Sequence, residues 1–304
     1  MGQEELKVPE QSPMYWALRK ERYTRQEYIS KIQEITGRRL LVYFSTNEGS
    51  ISFQDIQGFS DLLERLEGRD NDIDLLLQTT GGDIDVAEKI VYMCWEKAKS
   101  FRVIVAERAK SAGTLIALAA DEIVMGYASE LGPIDPQIFV PQTGETLPAH
   151  SYLDGLEHIA DTIDIKDRKQ VLIYMPLLEK LSPQLLDYCR KAIRRSEEFA
   201  TKWLSRHMLQ GNKRKARSIA KKLCDPKKYH LHGTVIDYKE ARELGLKVTY
   251  WPPEDKCWKA IWQLFCMYTI DAEKEGFVKI FESDTISLPL HLKESYPPSS
   301  HSSV

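Results

Sequence analysis

Residues 73–83 read IDLLLQTTGGD and contain the clearest structural signal of the chain. Its first five residues are apolar except for one aspartate, which is typical of a short buried strand. The two adjacent glycines that follow mark a tight turn, and Asp83 directly behind them is a suitable N-cap for a helix that continues through Trp95. A strand that passes into a helix through a glycine turn predicts one unit of a parallel α/β sheet.

The same alternation surrounds this unit on both sides. Apolar runs predict strands at residues 40–44, 101–106 and 122–126, and helical spacing predicts helices at residues 53–66 and 111–120. Repeated β–α–β units imply parallel strands joined by right-handed crossovers. The sequence therefore predicts an α/β core in the first half of the chain.

The second half of the chain reads as mainly helical. A helical pattern extends over residues 152–223 and includes a long amphipathic helix at residues 183–208. A short helix is predicted at residues 238–244, and Gly245 marks its end. The remaining predicted elements are a strand at residues 246–250 and a closing helix at residues 257–268.

Composition limits the classes of protein to which the chain can belong. Its 304 residues include 42 basic and 45 acidic side chains, a balance that argues against a broadly basic nucleic-acid binder. No apolar run reaches the length of about 18 residues that a membrane-spanning helix needs, and the polar N-terminus has no signal-peptide pattern. Five scattered cysteines without CxxC spacing indicate reduced thiols, and the dispersed histidines indicate no metal site. We therefore expect a cytoplasmic protein.

Two turns of the predicted core could carry chemistry. In the first, Gly81 and Gly82 leave backbone amides uncovered at the start of a helix, where an oxyanion or a phosphate can bind. The second reads AKSAGT at residues 109–114 and places Ser111 where a strand ends and a helix begins. A serine at such a turn is either a helix N-cap or a nucleophile beside oxyanion-stabilising amides. Two such turns on consecutive parallel units favour the nucleophile, because neighbouring strands bring them side by side.

The two turns, together with the stretch LGPIDPQ at residues 131–137, resemble the serine dehydrogenase proteinase family. This family groups Clp-fold serine peptidases related to signal peptide peptidase A and to the Clp protease proteolytic subunit. The resemblance continues through His232-Gly233 and through residues 240–246, which read EARELGL. It implies a Clp/crotonase-type spiral of repeated β-β-α units with additional C-terminal helices, peptide-bond hydrolysis without a cofactor, and assembly into homo-oligomers.

The resemblance also implies a division of the chain into parts. Residues 21–285 are expected to form the Clp/crotonase-fold peptidase domain, with a helical insertion around residues 152–223. Residues 1–20 are expected to be an N-terminal extension. Residues 286–304 are expected to be a disordered tail, because their end is rich in proline and serine and cannot bury a core.

The site residues are carried over from the family position by position. Ser111 matches the nucleophile of the serine peptidases. Gly82 and the backbone amide of Ala112 match the two oxyanion-hole positions, and Gly81 shapes the turn between them. The resemblance therefore implies that Ser111 attacks a peptide carbonyl whose oxygen is held by backbone amides.

The general base is where this sequence departs from both better-known relatives. The position that matches the histidine of the Clp subunit holds Asp135, so we expect exchanged roles, with His232 as the base and Asp135 as its orienter. His230 is the neighbouring alternative, and a structural role for His232 is as plausible as a catalytic one. Signal peptide peptidase A uses a lysine, for which Lys166 and Lys169 are candidates. Both lie in a very polar run, whereas a lysine base has to be desolvated, so we rank them below His232.

Two other classes of function are compatible with the sequence. An acyl-thioester enzyme could use the same fold and a backbone oxyanion hole, and a non-catalytic binding or assembly module could keep the fold without a working base.

The expected partners are a peptide or protein substrate and further copies of the chain. Residues 190–222 also contain twelve Lys or Arg against two acids, which indicates either solvated helix faces or a docking surface for an acidic partner. Nucleic acid is not expected, because the aromatic spacing offers no stacking platform for bases.

Overall fold

The computed structural model describes residues 11–140, 144–164, 166–178, 182–229 and 233–292. The elements of the first half are α1 (Pro13–Leu18), α2 (Lys20–Thr36), β1 (Arg39–Ser45), α3 (Asp55–Glu64), β2 (Asn71–Gln78), α4 (Ile84–Lys97), β3 (Ala98–Val105), β4 (Arg108–Ala109), α5 (Ala112–Leu118), β5 (Glu122–Met125), β6 (Glu130–Leu131), β7 (Gln137–Val140) and β8 (Glu145–Pro148). Those of the second half are α6 (Ala149–Thr162), α7 (Arg168–Leu178), α8 (Pro183–Arg206), α9 (Lys213–Leu223), α10 (Tyr238–Leu244), β9 (Val248–Tyr250), α11 (Lys256–Glu275), β10 (Phe277–Glu282) and β11 (Ser287–His291).

A central sheet organises the described part of the chain, with its strands in the order β11-β10-β1-β2-β3-β5-β9. Strands β1, β2, β3, β5 and β9 are parallel to one another, whereas β10 and β11 extend the sheet with antiparallel pairing. The predicted parallel α/β core is therefore confirmed. One row of partners crosses all five parallel strands and consists of Leu41, Leu75, Val103, Ile123 and Val248, all of them buried.

Helices cover both faces of this sheet. On one face, α3, α4 and α8 bury Phe59, Val91 and Trp203 against the apolar side chains of the strands. On the other face, α2 and α11 do the same with Ile29 and Ile261. Each fully buried side chain of this kind contributes roughly 1.5–3 kcal/mol through the removal of apolar surface from water. The strands are apolar on both sides for this reason, which is why they read as continuous runs in the sequence.

Strand β10 carries a charged side chain that is completely buried. Glu282 accepts from Arg25 Nε of α2 at 2.9 Å and from the Tyr268 hydroxyl of α11 at 2.5 Å. Arg25 also pairs with Asp271 of α11. Such a network is tolerated in an interior because each charge has a partner. It joins α2 and α11 to the antiparallel side of the sheet.

The end of the chain differs from the expectation. A disordered tail was expected from residue 286, but residues 287–291 form β11 and pair with β10, with Leu288 opposite Phe281. Residues 293–304 lie outside the described residues. The region expected to be a helical insertion, residues 152–223, contains most of α6 and all of α7, α8 and α9.

Candidate active site

The two predicted turns lie side by side. Thr79, at the end of β2, forms an isolated parallel bridge with Ala109 of β4, and its carbonyl accepts from the Lys110 N–H at 3.1 Å. This bridge brings Gly81 against the second turn, since a Cβ added to Gly81 would lie 2.7 Å from the Cβ of Ser111. The structure therefore brings together the glycine pair and the serine that the sequence singled out.

Ser111 has a backbone conformation that serine adopts rarely. Its φ is 50° and its ψ is −116°, immediately before the first residue of α5. This positive φ falls in the region that favours glycine, and holding a serine there costs on the order of 1–3 kcal/mol. Although Ser111 occupies the N-cap position of α5, its side chain accepts no hydrogen bond from the helix. The capping alternative is therefore not what the structure shows, and the half-buried serine instead lines a cavity.

Two backbone amides beside Ser111 are available as hydrogen-bond donors. Among the described residues, neither the Gly82 N–H nor the Ala112 N–H donates to another group. The Gly81 N–H is engaged instead, since it donates to Thr79 Oγ1 at 3.1 Å. Uncommitted amides next to a strained serine are the arrangement that stabilises the oxyanion of a tetrahedral intermediate.

Ile51 fixes the glycine turn from the side opposite Ser111. Its N–H donates to the Gly81 carbonyl at 2.7 Å, and its carbonyl accepts from the Asp83 N–H at 2.9 Å. Gly82, at a φ of 146°, lies between these two bonds, and a Cβ there would collide with the Ile51 backbone. Ile51 could not be singled out from the sequence, because a lone apolar residue in a loop carries no motif.

A cavity of about 720 Å³ opens beside the two turns. The turn residues, the apolar Leu115 and Ile134, and residues of α8 line it. The charged lining residues are of both signs: Asp83, Asp85, Lys191, Arg194, Arg195 and Glu198. The cavity therefore offers apolar surface and charged side chains around Ser111, a combination that is common in ligand pockets.

Of the predicted base and its orienter, the structure describes only Asp135. Asp135 is half-buried and lies between two cavity-lining residues, and its carboxylate accepts from Gln137 Nε2 at 3.3 Å, but it is not itself in the lining. His230 and His232 lie outside the described residues. Lys166 and Lys169 are exposed near the start of α7 and do not line the cavity.

Lys110 is a buried cation next to Ser111 to which the sequence analysis gave no role. Its Nζ pairs with Glu130 Oε1 at 3.0 Å and donates to the backbone carbonyls of Thr234 at 3.1 Å and Gly233 at 3.4 Å. These contacts hold Gly233 and Thr234 against the second turn.

Two of the five cysteines, Cys94 and Cys224, are buried in the core. Burial raises the pKa of the Cys94 thiol to about 12, and burial also raises the pKa of Cys224. In the described ranges, no three His, Cys, Asp or Glu side chains gather as metal ligands would.

None of the described helices combines the length and the apolar character needed to cross a bilayer.

Comparison with known proteins agrees with this geometry. Residues 51–281, which include both turns and all of β10 except its last residue, match the family described as ClpP-like SDH-type serine proteinase. The chain belongs to this family. The expected family and the expected fold class are thereby confirmed, and so is the assignment to the serine proteinases at the level of the family.

Two proteins of Methanocaldococcus jannaschii are similar to the chain. The uncharacterized protein MJ0137 is 32% identical over 216 residues, which cover 71% of this chain and 65% of that protein. The uncharacterized protein MJ1495 is 34% identical over 184 residues, which cover 60% of this chain and 54% of that protein. The chain thus spans less than two thirds of the length of these relatives.

Solved structures of the 1510-N membrane-bound stomatin-specific protease are more distant neighbours. A serine-to-alanine mutant of that protease matches with a TM-score of 0.42 and 17% identity, over 68% of this chain and 77% of the other. A lysine-to-alanine mutant in complex with a substrate peptide matches with a TM-score of 0.41 and 15% identity, over 80% and 84% of the two chains.

Proposed function

We propose that this protein is a serine peptidase whose nucleophile is Ser111. The observation that carries the proposal is the serine itself, which is held at a positive φ, makes no helix cap and lines a cavity beside two uncommitted amides. A strained strand-to-helix turn is how several unrelated hydrolases present a nucleophilic serine. The ClpP-like serine proteinase family to which the chain belongs supports the same chemistry.

In the proposed reaction, Ser111 Oγ attacks the carbonyl carbon of a peptide bond while its proton passes to the base. The resulting oxyanion accepts hydrogen bonds from the amides of Gly82 and Ala112. Each such donor is worth roughly 100-fold to 1,000-fold in rate. The base then protonates the leaving amine, and water hydrolyses the acyl-enzyme by the same route.

We propose His232 as the base and Asp135 as its orienter, with His230 as the alternative histidine. Support comes from Lys110, which precedes Ser111 and binds the carbonyl of Gly233, the residue directly after His232. The exposure of both candidate lysines argues against the lysine alternative, since a neutral lysine at pH 7 needs burial.

Peptide hydrolysis by single variants tests this assignment. We expect His232→Ala and Ser111→Ala to lose cleavage of a mixed peptide library, Asp135→Asn to reduce it, and Lys166→Ala and Lys169→Ala to retain it. Loss of cleavage in Lys169→Ala, with cleavage retained in His232→Ala, would mean that Lys169 rather than His232 is the general base. A folded parent that cleaves nothing would favour the non-catalytic module, and saturable binding of coenzyme A in calorimetry would favour the acyl-thioester enzyme.

We also propose that an acidic partner binds the basic residues 190–222. On α8, Arg195 and Lys202 are neutralised by Glu88. On α9, by contrast, none of the cations forms an ion pair within the described residues; they are Lys213, Arg214, Lys215, Arg217, Lys221 and Lys222, all exposed. Binding of a fluorescent polyglutamate that weakens with salt, and weakens further in a Lys213→Gln/Arg217→Gln/Lys221→Gln variant, is the expected result.

We propose that the protein assembles into homo-oligomers. Helix α7 exposes Leu172 and Ile173, which are 58% and 69% accessible, and Met175 beside them is also exposed. Contiguous exposed apolar side chains are typical of surfaces that another chain covers. Light scattering after size exclusion should report a multimer for the parent and a smaller species for Leu172→Glu. A monomeric parent at micromolar concentration would contradict assembly.

A further inference from the structure

The glycine turn beside Ser111 is held by a loop that lies outside every motif of the sequence. This loop, residues 46–52, is named the Gly49 loop after its central glycine. Ile51 of the loop bonds the backbone on both sides of Gly82, to Gly81 at 2.7 Å and to Asp83 at 2.9 Å. The direction of the Gly82 amide therefore depends on where the Gly49 loop lies.

The Gly49 loop is in turn anchored on β10. The Thr46 N–H donates to the Val278 carbonyl at 2.9 Å. Gly49 packs so closely that a Cβ there would lie 2.6 Å from the Val278 carbonyl oxygen and 3.0 Å from Lys279 Cγ. Backbone contact of this kind leaves the loop no room to shift towards the strand.

A buried ion pair fixes the other end of the loop. Lys279 of β10 donates from Nζ to Asp55 Oδ1 at 2.7 Å and to Ser52 Oγ at 2.9 Å. Asp55 Oδ2 accepts from the Ser52 N–H at 3.0 Å and from the Tyr43 hydroxyl at 2.8 Å. Burial, followed by the charge of Asp55, raises the pKa of Tyr43 well above its usual value, so the hydroxyl remains a donor. Ser52, the residue next to Ile51, is thus hydrogen-bonded through both its side chain and its backbone.

The burial of the Lys279–Asp55 ion pair indicates a function beyond stabilising the fold. Lys279 is 6% exposed and Asp55 is 0% exposed. Burying an ion pair carries a large desolvation penalty, and apolar side chains of similar volume are often as stabilising. In some proteins such pairs are retained because they specify one geometry. Here the ion pair defines the position of Ser52 and, through the backbone, the positions of Ile51 and Gly82.

We propose that Lys279 and Asp55 are positioning residues for the oxyanion hole, acting through Ser52 and Ile51 on the Gly82 amide. The inference rests on the proposed peptidase function and assigns β10, which carries Lys279, a role in it. An oxyanion donor is useful only within a few tenths of an ångström of its ideal position. A displaced Gly49 loop would therefore lower the rate of acyl transfer more than it weakens peptide binding, because Ser50 is the one residue of the loop among the described residues that line the cavity.

Two variants of the full chain separate positioning from stability. Lys279→Met breaks the ion pair that holds Ser52. Arg25→Met breaks the buried ion pair with Glu282 on the same strand; the described hydrogen bonds and ion pairs of Arg25 go to Glu282, Asp271 and Glu275 rather than to the Gly49 loop. We expect both variants to lower Tm. Only Lys279→Met should lower kcat, by at least about tenfold, and this fall should exceed any change in KM. Lys279→Arg, which keeps the charge and the donors, should recover part of kcat.

Hydrogen exchange provides a readout that needs no activity. The Asp83 amide, which donates to the Ile51 carbonyl, should exchange faster in Lys279→Met and in Ser52→Ala. Ser52→Ala is the milder change and replaces Lys279→Met if that variant does not fold. Exchange of the Asp83 amide should be unchanged in Arg25→Met. Unchanged exchange at Asp83 and an unchanged kcat, with only Tm lowered, would overturn the positioning role. A parent that hydrolyses no peptide would refute the proposed function, while the exchange data would still report whether Lys279 holds the turn.

Discussion

The two strand-to-helix turns of the site have the same layout but use their polar residue in opposite ways. Asp83 caps α4 as predicted, since its carboxylate accepts from the N–H groups of Asp85 and Val86 at 2.8 and 3.1 Å. Ser111 holds the equivalent position before α5, yet it makes no cap and sits at a φ of 50°. A capping serine would gain about 1 kcal/mol, so the second turn gives up stability that the first one has.

The difference indicates what each turn is for. The first turn is built from glycines that reach positive φ without strain, and its polar side chain stabilises the helix behind it. The second turn keeps a strained serine whose side chain does not cap the helix. Strain that persists where a relaxed alternative is available is typical of a functional position. Under the proposed function, this contrast favours Ser111 over Asp83 as the residue whose side chain carries the activity.

The largest expected effect comes from Ser111. Ser111→Ala should lower peptide hydrolysis by at least about 1,000-fold, because it removes the nucleophile. Ser111→Gly should do the same and in addition raise Tm, since glycine accepts the positive φ without strain. Steady-state kinetics and calorimetry on the same preparations check both statements. A fall in Tm for Ser111→Gly would mean that the serine is not strained.

The second largest effect is expected at Gly82. Gly82→Ala should lower kcat by about 100-fold and also lower Tm, because a Cβ collides with the Ile51 backbone and displaces the amide. Gly68→Ala is the matched control, since Gly68 also has a positive φ of 64° but has nothing within 4 Å of an added Cβ. The control should lose a little Tm and no activity. Equal losses of activity in both variants would argue against a specific role for the Gly82 amide.

Asp83 should show the reverse pattern from Ser111. Asp83→Ala is expected to lower the free energy of unfolding by about 1 kcal/mol through loss of the cap, while kcat changes by less than about threefold. Asp83→Asn, which keeps a capping oxygen, should restore most of the stability. Chemical denaturation beside steady-state kinetics measures both quantities. A collapse of kcat in the Asn variant would place the carboxylate in the chemistry and break the contrast between the turns.

The smallest expected effect concerns pH and lies away from both turns. His207 stacks on Trp95 with ring centroids 3.6 Å apart, and burial, followed by the charge of Arg206, lowers its pKa to about 4. Because the unfolded histidine has a pKa near 6.5, the unfolded state binds a proton first, and stability should fall as the pH drops from about 6.5 to about 4. His207→Phe should flatten the pH dependence of Tm over that range. An unchanged slope would exclude His207 as its source.

Much of the fold was predictable from local pattern. The parallel strands read as apolar runs because both of their faces are buried, and α10 ends at Gly245 in the left-handed conformation that the sequence indicated. Strand β10 was not predicted, because Lys279 and Glu282 interrupt its apolar pattern. Both charges are buried by partners far away in the chain, Asp55 and Arg25, so their burial is a tertiary effect that no local window contains.

The same distinction applies to the site. Gly81 and Gly82 were predictable because adjacent glycines indicate a tight turn, and Ser111 was singled out by its position between a strand and a helix, although its positive φ was not predictable from its residue type. Ile51 and Lys279 were not, since their influence on the turn depends on backbone contacts and on an ion pair between residues 224 positions apart. The identity of the base, for which His232 and Asp135 are proposed, stays a prediction.

Covalent labelling of the folded chain with a fluorophosphonate, followed by peptide mapping, tests the central claim most directly. The account predicts a single adduct on Ser111 in the parent and in Asp83→Ala, slower labelling in Gly82→Ala, and none in Ser111→Ala. Labelling at another serine that persists in Ser111→Ala, or a folded parent that stays unlabelled at high probe concentration, would contradict the claim that Ser111 is an activated nucleophile.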